Sequence, residues 1–312
     1  MSVKTVQPSR FGFLADNERA LGALMLAPAV IFILALVGLP LLISIAFSLS
    51  DVTVGDTGLD YVGLENFRNV TRTPQFRRAV IDTILFTTAA LSIIIVLANI
   101  LAVVFTQDFR GKWLARILVI LPWATPISLG TLGWLWLLDS KFSPIDWVLV
   151  QIGLLGPDTL LGPGLHLNYL GREYLAMGSV VLVHVWRLVP LSAVILLAGL
   201  TSIDQELIDQ AQVDGASGLR TYLQIKLPLI TPIMAIASLF AFILIFTDLV
   251  VVFVLTRGGP IYYTQVLSMW SYNKGIEGGA LAEGAAIALF FAPVLLVAAI
   301  LILRSVRQIE VT

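Results

Sequence analysis

The chain has 312 residues, 58% of them hydrophobic and only 12% charged, with a mean hydropathy of +0.94. Soluble domains carry roughly twice that charge, so this chain finds its solvent in a bilayer. A net charge of −1 leaves no basic field for nucleic acid, and the absence of cysteine together with only two histidines (His166 and His184) removes disulfides, thiolate chemistry and an all-protein zinc site.

Residues 1–20 read as an N-terminal segment, with Phe11–Ala20 expected to lie along the membrane interface as a short amphipathic helix. Six apolar stretches then follow, each long enough to cross roughly 30 Å of hydrocarbon as a helix. They run near Leu21–Phe47, Val80–Phe105, Ile117–Leu138, Ala176–Leu200, Leu229–Leu255 and Leu281–Leu303. The expected fold is therefore an all-α integral membrane protein with six transmembrane helices over 21–303 and a short tail, 304–312. The first stretch is too long for a signal-peptide core and reads as an uncleaved span. Six spans place both termini on one side, and that side holds ten Lys and Arg against eight on the other, spread over longer loops. The positive-inside rule then weakly favours cytoplasmic termini.

Polar groups inside spans cost a few kcal/mol each unless they find partners or water, so they read first as functional. Arg187, in "HVWRLVP", and Asp248, in "IFTDLVV", lie mid-span. They are expected to share an interior cavity and pair, directly or through a solute; the alternative is that each satisfies a neighbouring carbonyl or helix. Asp82 lies near a span end, within reach of water. Asn99 is suited to an interhelical hydrogen bond, and a lone histidine such as His184 more often serves as a structural donor than as a proton relay. Trp134, Trp136, Trp186, Phe246 and Tyr272 offer faces on which a sugar ring can stack, although packing explains any one of them as well. Trp186 and Phe246 stand beside charged candidates. Pro122 and Pro126, four apart in the third span, are expected to line a pathway. Between the third and fourth spans, "SPIDWVLVQIGLL" reads as a short interfacial helix. In the last span, Gly284, Ala288 and Ala292 form a small-residue stripe for close helix approach, to a partner chain or to this one.

Residues 202–228 are different in kind. Leu207, Ile208 and Ala211 recur at helical spacing, predicting an amphipathic helix from about Gln205 to Val213. Asp214-Gly215 breaks it, glycine supplying the left-handed residue that ends many helices. Ser217 is placed to cap a second helix, ended by Pro228 before Pro232 opens the next span. Two readings stay open on physics alone, a hairpin resting on headgroups or a knob fitted to a groove in a soluble partner.

This segment resembles the EAA loop of ABC-importer permeases, whose pattern is roughly E-A-A-x-x-D-G-A followed about nine residues on by I-x-L-P. The chain has Asp209-Gln210-Ala211, Asp214-Gly215-Ala216 and Ile225-Lys226-Leu227-Pro228, departing at the first two positions. The stretches "MLAPAVIFILALVGLPLLISIAFSLSD", "YVGLENFRNV", "ILPWATPISLGTLGWLW", "VWRLVPLSAVILLAGLTSID" and "FTDLVVVFVLTRGGP" are similar to sugar permeases of the maltose and glycerol-phosphate type. The resemblance implies an ABC type I importer permease fold in a prokaryotic cytoplasmic (inner) membrane, with both termini and the loop cytoplasmic. It implies a second homologous permease, two ATPase subunits and an extracytoplasmic solute-binding protein as partners, with lipid around them and no nucleic acid. ATP and Mg would be held by the ATPase, leaving no cofactor, metal or catalytic group in this chain. The loop would dock in the ATPase, with Gly215 as the hinge of the knob, Ala211, Ala216 and Leu219 filling a cleft, and Asp209 and Asp214 at its rim.

No nucleotide site is readable. The sole Gly-Lys pair, Gly111-Lys112, is followed by Trp113 and lacks the upstream glycine of a P-loop. A rival reading, an ion-coupled secondary transporter, predicts internal repeats, and none is visible. A membrane-embedded enzyme would need clustered acid, base or nucleophile groups at depth, and the polar residues within the spans form no such set.

Overall fold

The computed structural model describes residues 18–56 and 58–310, and among them the chain is helical, with two isolated β-bridges and no strand. Of the expected interfacial helix, residues 11–17 lie outside the described residues. The helices α1 (Glu18–Ile33) and α2 (Leu39–Ser48) join through a π-helical turn, Leu34–Gly38, to make the first span, Leu21–Ser48. Its apolar stretch is not buried within the chain until Ser48, where it settles against the last span. The short α3 (Glu65–Arg72) is pinned there by Asn66, whose Nδ2 donates to Ser48 O (3.0 Å) and Ser50 O (2.9 Å).

Thr73 is extended and Pro74 opens α4 (Pro74–Thr106), the second span, because proline is pre-set for a first helical turn and pushes its predecessor out of helix. Ala90, Ala98 and Ala102 lie on the buried face of α4, with Ile94 between the first two and Phe86 one turn before them. Small residues let α8 (Glu173–Thr201), the fourth span, approach closely, and this is the most extensive helix pairing among the described residues.

The third expected span is not one helix. α5 (Lys112–Ala124) and α6 (Ile127–Leu137) meet at 98°. Thr125 and Pro126 are both extended, with ψ of 133° and 127°. The Pro126 ring excludes helix at Thr125, so the break falls there, while Pro122 is absorbed inside α5. Among the described residues, five helices are thus long and apolar enough to cross a membrane, or six if the bent pair is one span.

A short α7 (Pro144–Gln151) follows, capped by Ser143 Oγ, which accepts from Asp146 N at 3.3 Å. Asp146 is buried and holds the long loop after it, accepting from Leu167 N (3.0 Å) and Tyr169 OH (2.7 Å). Burial and that carboxylate push the Tyr169 phenol above its ordinary range.

Beyond α9 (Gln205–Val213) and α10 (Gly218–Thr221) the structure departs again from expectation. Pro228 does not end a helix. α10 runs through a π-helical turn, Tyr222–Lys226, into α11 (Leu227–Phe246), making one span of Gly218–Phe246. Leu227 N–H bonds Tyr222 O, so the wider turn takes up the strain just before a residue that lacks its own donor. The fifth span ends at Phe246 rather than Leu255, and Asp248 lies in the corner before α12 (Val250–Leu255). After α13 (Leu267–Tyr272) and its π-helical extension, Asn273–Glu277, the last span comprises α14 (Leu281–Leu289) and α15 (Phe291–Glu310).

The small-residue stripe of that span meets this same chain. A Cβ built on Gly284 would lie 2.4 Å from Gly275 Cα, so the two backbones touch. Ala292, further along the stripe, is exposed.

Candidate functional site

The polar loop folds as two helices at a sharp corner. Asp204 caps α9, accepting from Glu206 N at 3.1 Å, and Glu206 adds an acid to the first turn. At the far end Gly215 takes φ +81°, with Gly215 N–H on Gln212 O (3.0 Å) and Ala216 N–H on Ala211 O (2.9 Å). That bond pair is a Schellman closure, which requires a left-handed residue where Gly215 stands. Ser217 is extended and caps α10, its Oγ accepting from Arg220 N at 3.4 Å.

The side chains sort by position. Val213 is 87% and Leu219 70% exposed at the corner, whereas Ala211 is only 7% exposed and Ala216 is half-buried. Ala211 and Ala216 instead line a groove of about 390 Å³ between the two loop helices, with Asp214 and Arg220 at its edge. Asp209 is exposed and accepts from Gln205 Nε2 at 2.9 Å, so it is engaged within its own helix. The apolar tip therefore includes Val213, which the sequence reading left out.

The intramembrane polar residues are brought together, but not as expected. His184 is fully buried, its Nδ1 2.9 Å from Val180 O and its Nε2 3.2 Å from Asp248 Oδ2. Asp248 Oδ2 also accepts Val251 N–H at 2.9 Å, capping α12, and Ser268 donates to Asp248 O at 2.6 Å. Asp248 thus pairs with His184 and not with Arg187. Val180 O can only accept, so Nδ1 is the ring nitrogen that donates to it. Phe86 closes the pair from the side, its ring edge-on to the imidazole at 4.8 Å.

Arg187 stands on the same helix as His184, in α8. Its guanidinium lies 5.5 Å from the Trp123 ring and within electrostatic reach of Asp248, yet it forms no hydrogen bond or ion pair with the described residues. Trp134 and Trp186 meet edge to face at 5.7 Å beside it, and Gly130 of α6 leaves room for the Trp186 ring. Trp123 was not among the aromatics picked out from the sequence. Its position one residue after Pro122 was the available signal.

Two substrate-path candidates lie elsewhere. Phe246 is 4% exposed, stacked on Phe242 and edge to face with Phe291, so packing accounts for it. Tyr272 meets Phe253 edge to face at 5.3 Å and borders a small cavity with Leu249 and Ser128. Asp82 does not reach water: it is buried and paired with Arg78 at 2.8 Å. Asn99 makes the interhelical bond expected of it, accepting from Tyr222 OH at 2.8 Å.

Residues 77–309 match the family described as binding-protein-dependent transport system inner membrane component. A probable ABC transporter permease protein, y4oQ of Sinorhizobium fredii, is 32% identical over 91% of this chain and 89% of its own length. The trehalose/maltose transport system permease protein MalF of Thermococcus litoralis is 28% identical over 82% of this chain and 84% of that protein. A crystal structure of a bacterial ABC transporter involved in import of the acidic polysaccharide alginate contains a chain that superposes with a TM-score of 0.78 at 22% identity. The match covers 95% of this chain and 98% of that one. This last likeness establishes the fold.

Proposed function

The chain belongs to the family of binding-protein-dependent transport system inner membrane components, and we propose that it is the permease subunit of an ATP-driven sugar importer, coupled through its Asp214-Gly215-Ala216 corner to a separate ATPase. Members of this family are multi-pass membrane components and not enzymes. The sugar assignment is supported by the relatives, among them the trehalose/maltose permease and a sulfoquinovosyl glycerol permease of Agrobacterium fabrum, 27% identical over 93% of this chain.

The observation that carries the coupling role is the loop corner itself. A left-handed Gly215, closed by two backbone bonds, presents Val213 and Leu219 outward on a turn that has no membrane-spanning purpose. α10 is continuous with the fifth span, so a displacement of the corner is delivered along one helix toward Asp248 and the pair it makes with His184. ATP and Mg belong to the ATPase in this reading. The partners are a second, related permease, two ATPase subunits and a soluble binding protein on the opposite face, which sets the loop and both termini on the cytoplasmic side.

The solute path runs beside Arg187, Trp123, Trp134 and Trp186. Aromatic faces stack on the C–H faces of pyranose rings, and Trp123 and Trp134 reach this place from either side of the 98° break between α5 and α6.

Purification of the tagged chain in mild detergent from its native host tests the assembly. An ATPase, a second permease and a binding protein are expected to accompany it. Isolation alone or as a homomer, under several detergents, contradicts the reading and favours a secondary transporter.

A further inference from the structure

We infer that the solute passing Arg187 carries an anionic group, a carboxylate, phosphate or sulfonate, which the guanidinium binds; the inference rests on the permease reading above. Arg187 is the fifteenth of the 29 residues of α8, near the middle of the span. A cation at that depth is costly unless an anion or water meets it.

Asp248, the acid within electrostatic reach, does not pair with the guanidinium. Asp248 takes His184 Nε2 and Val251 N–H on one carboxylate oxygen. Asp248 thus spends that oxygen on α8 and on its own corner, and it forms no ion pair with Arg187. No carboxylate of the described residues lies within 4 Å of the guanidinium. Its Nε is buried without a hydrogen-bond partner. The Trp123 ring, 5.5 Å away, engages the group through its π-system and leaves the N–H edges free. A planar guanidinium with open edges matches a carboxylate, phosphate or sulfonate in bidentate fashion.

The surroundings favour a saccharide carrying that anion. Trp186 is the residue next to Arg187 on α8, and Trp134 meets Trp186 edge to face from α6. Aromatic faces beside a free guanidinium suit a pyranose with one acidic substituent. An ion pair with a neighbouring helix would need a carboxylate and no such platform.

The test uses the assembled importer, purified with its partner chains. Binding to the complex is measured calorimetrically for two matched pairs, cellobiose with cellobiouronate and glucose with glucose 6-phosphate. The anionic member of at least one pair is expected to bind about tenfold more tightly, a difference that Arg187→Leu removes and Arg187→Lys retains in part. Equal or undetectable binding of both members in both pairs overturns the inference, as does a preference that survives Arg187→Leu. If Arg187→Leu releases the second permease, the guanidinium pairs with that subunit and the inference falls. If that variant fails to accumulate, Arg187→Lys decides: a preference reduced several-fold supports the inference and an unchanged one overturns it. ATP-driven uptake of a neutral sugar, with no anionic preference, would leave the permease reading standing and remove this inference alone.

Discussion

His184 Nε2 and Asp248 Oδ2 face each other at 3.2 Å between the fourth span and the corner that ends the fifth, and the same carboxylate oxygen accepts Val251 N–H at 2.9 Å. One side chain thus fixes the angle between two helices and holds a buried imidazole. Asp248→Ala strands the imidazole and a backbone donor, at a cost of about 1–3 kcal/mol for each unsatisfied group. Asp248→Asn keeps an acceptor at the corner. The expected order of thermal denaturation midpoints in detergent is wild type, then Asn, then Ala well below. An Ala variant as stable as wild type would contradict the structural role.

Gly215 has open space around it, with nothing within 4 Å of a built Cβ, but its φ is +81°. The penalty for another residue is therefore conformational and not steric, about 1–2 kcal/mol for most side chains and less for Asn. Gly215→Val is expected to insert normally yet uncouple ATP hydrolysis from uptake, and Gly215→Asn to retain much of the coupling. Measuring uptake per ATP hydrolysed in proteoliposomes checks both. Normal coupling in the Val variant removes the hinge.

Tyr222 OH and Asn99 Oδ1, at 2.8 Å, tie the coupling end of the fifth span to the second. Interhelical bonds of this kind are worth about 0.6–2 kcal/mol. Tyr222→Phe removes the bond and leaves the ring. The expected result is a small loss of thermal stability with reduced uptake at unchanged ATPase docking. Unchanged uptake means the tie is not on the coupling route.

Gly284 and Gly275 touch through their backbones, and the contact is asymmetric. A Cβ on Gly284 would meet Gly275 Cα at 2.4 Å, whereas one on Gly275 would meet Gly284 Cα at 3.1 Å. Overpacking costs typically about 1–3 kcal/mol. Gly284→Ala is expected to lower the denaturation midpoint more than Gly275→Ala. The reverse order would mean the helices separate freely there.

Much of this architecture was legible because its signals are local. The Gln205–Val213 helix, the left-handed Gly215 and the Ser217 cap each follow from residues within a turn of one another, and all three occur. The breaks were harder to read. Hydropathy runs straight through Thr125-Pro126 and through Phe246–Leu249, so a window of apolar residues reports one span where the backbone turns. Pro228 signalled a stop, but a π-helical turn just before it let the helix continue. Arg187 and Asp248 were rightly singled out as polar at depth, yet their pairing was not readable. It depends on which way α12 leaves the fifth span, and that corner brings His184 and not Arg187 to the carboxylate. Phe246 looked like a pathway residue by sequence proximity alone, and the structure spends it on an aromatic stack.

The chain has no cysteine, so a single introduced thiol reports unambiguously. Leu219→Cys and Val213→Cys, both on the exposed loop corner, are labelled through the thiol with a short photoactivatable cross-linker, which inserts into any neighbouring chain on illumination, in membranes carrying the whole importer, with and without ATP. Tyr174→Cys, exposed at the other end of α8, serves as the control. The expected result is an adduct with the ATPase subunit from both loop positions, altered by ATP, and none from Tyr174→Cys. Absence of that adduct from both loop positions, or the same yield from the control, would contradict coupling through this corner.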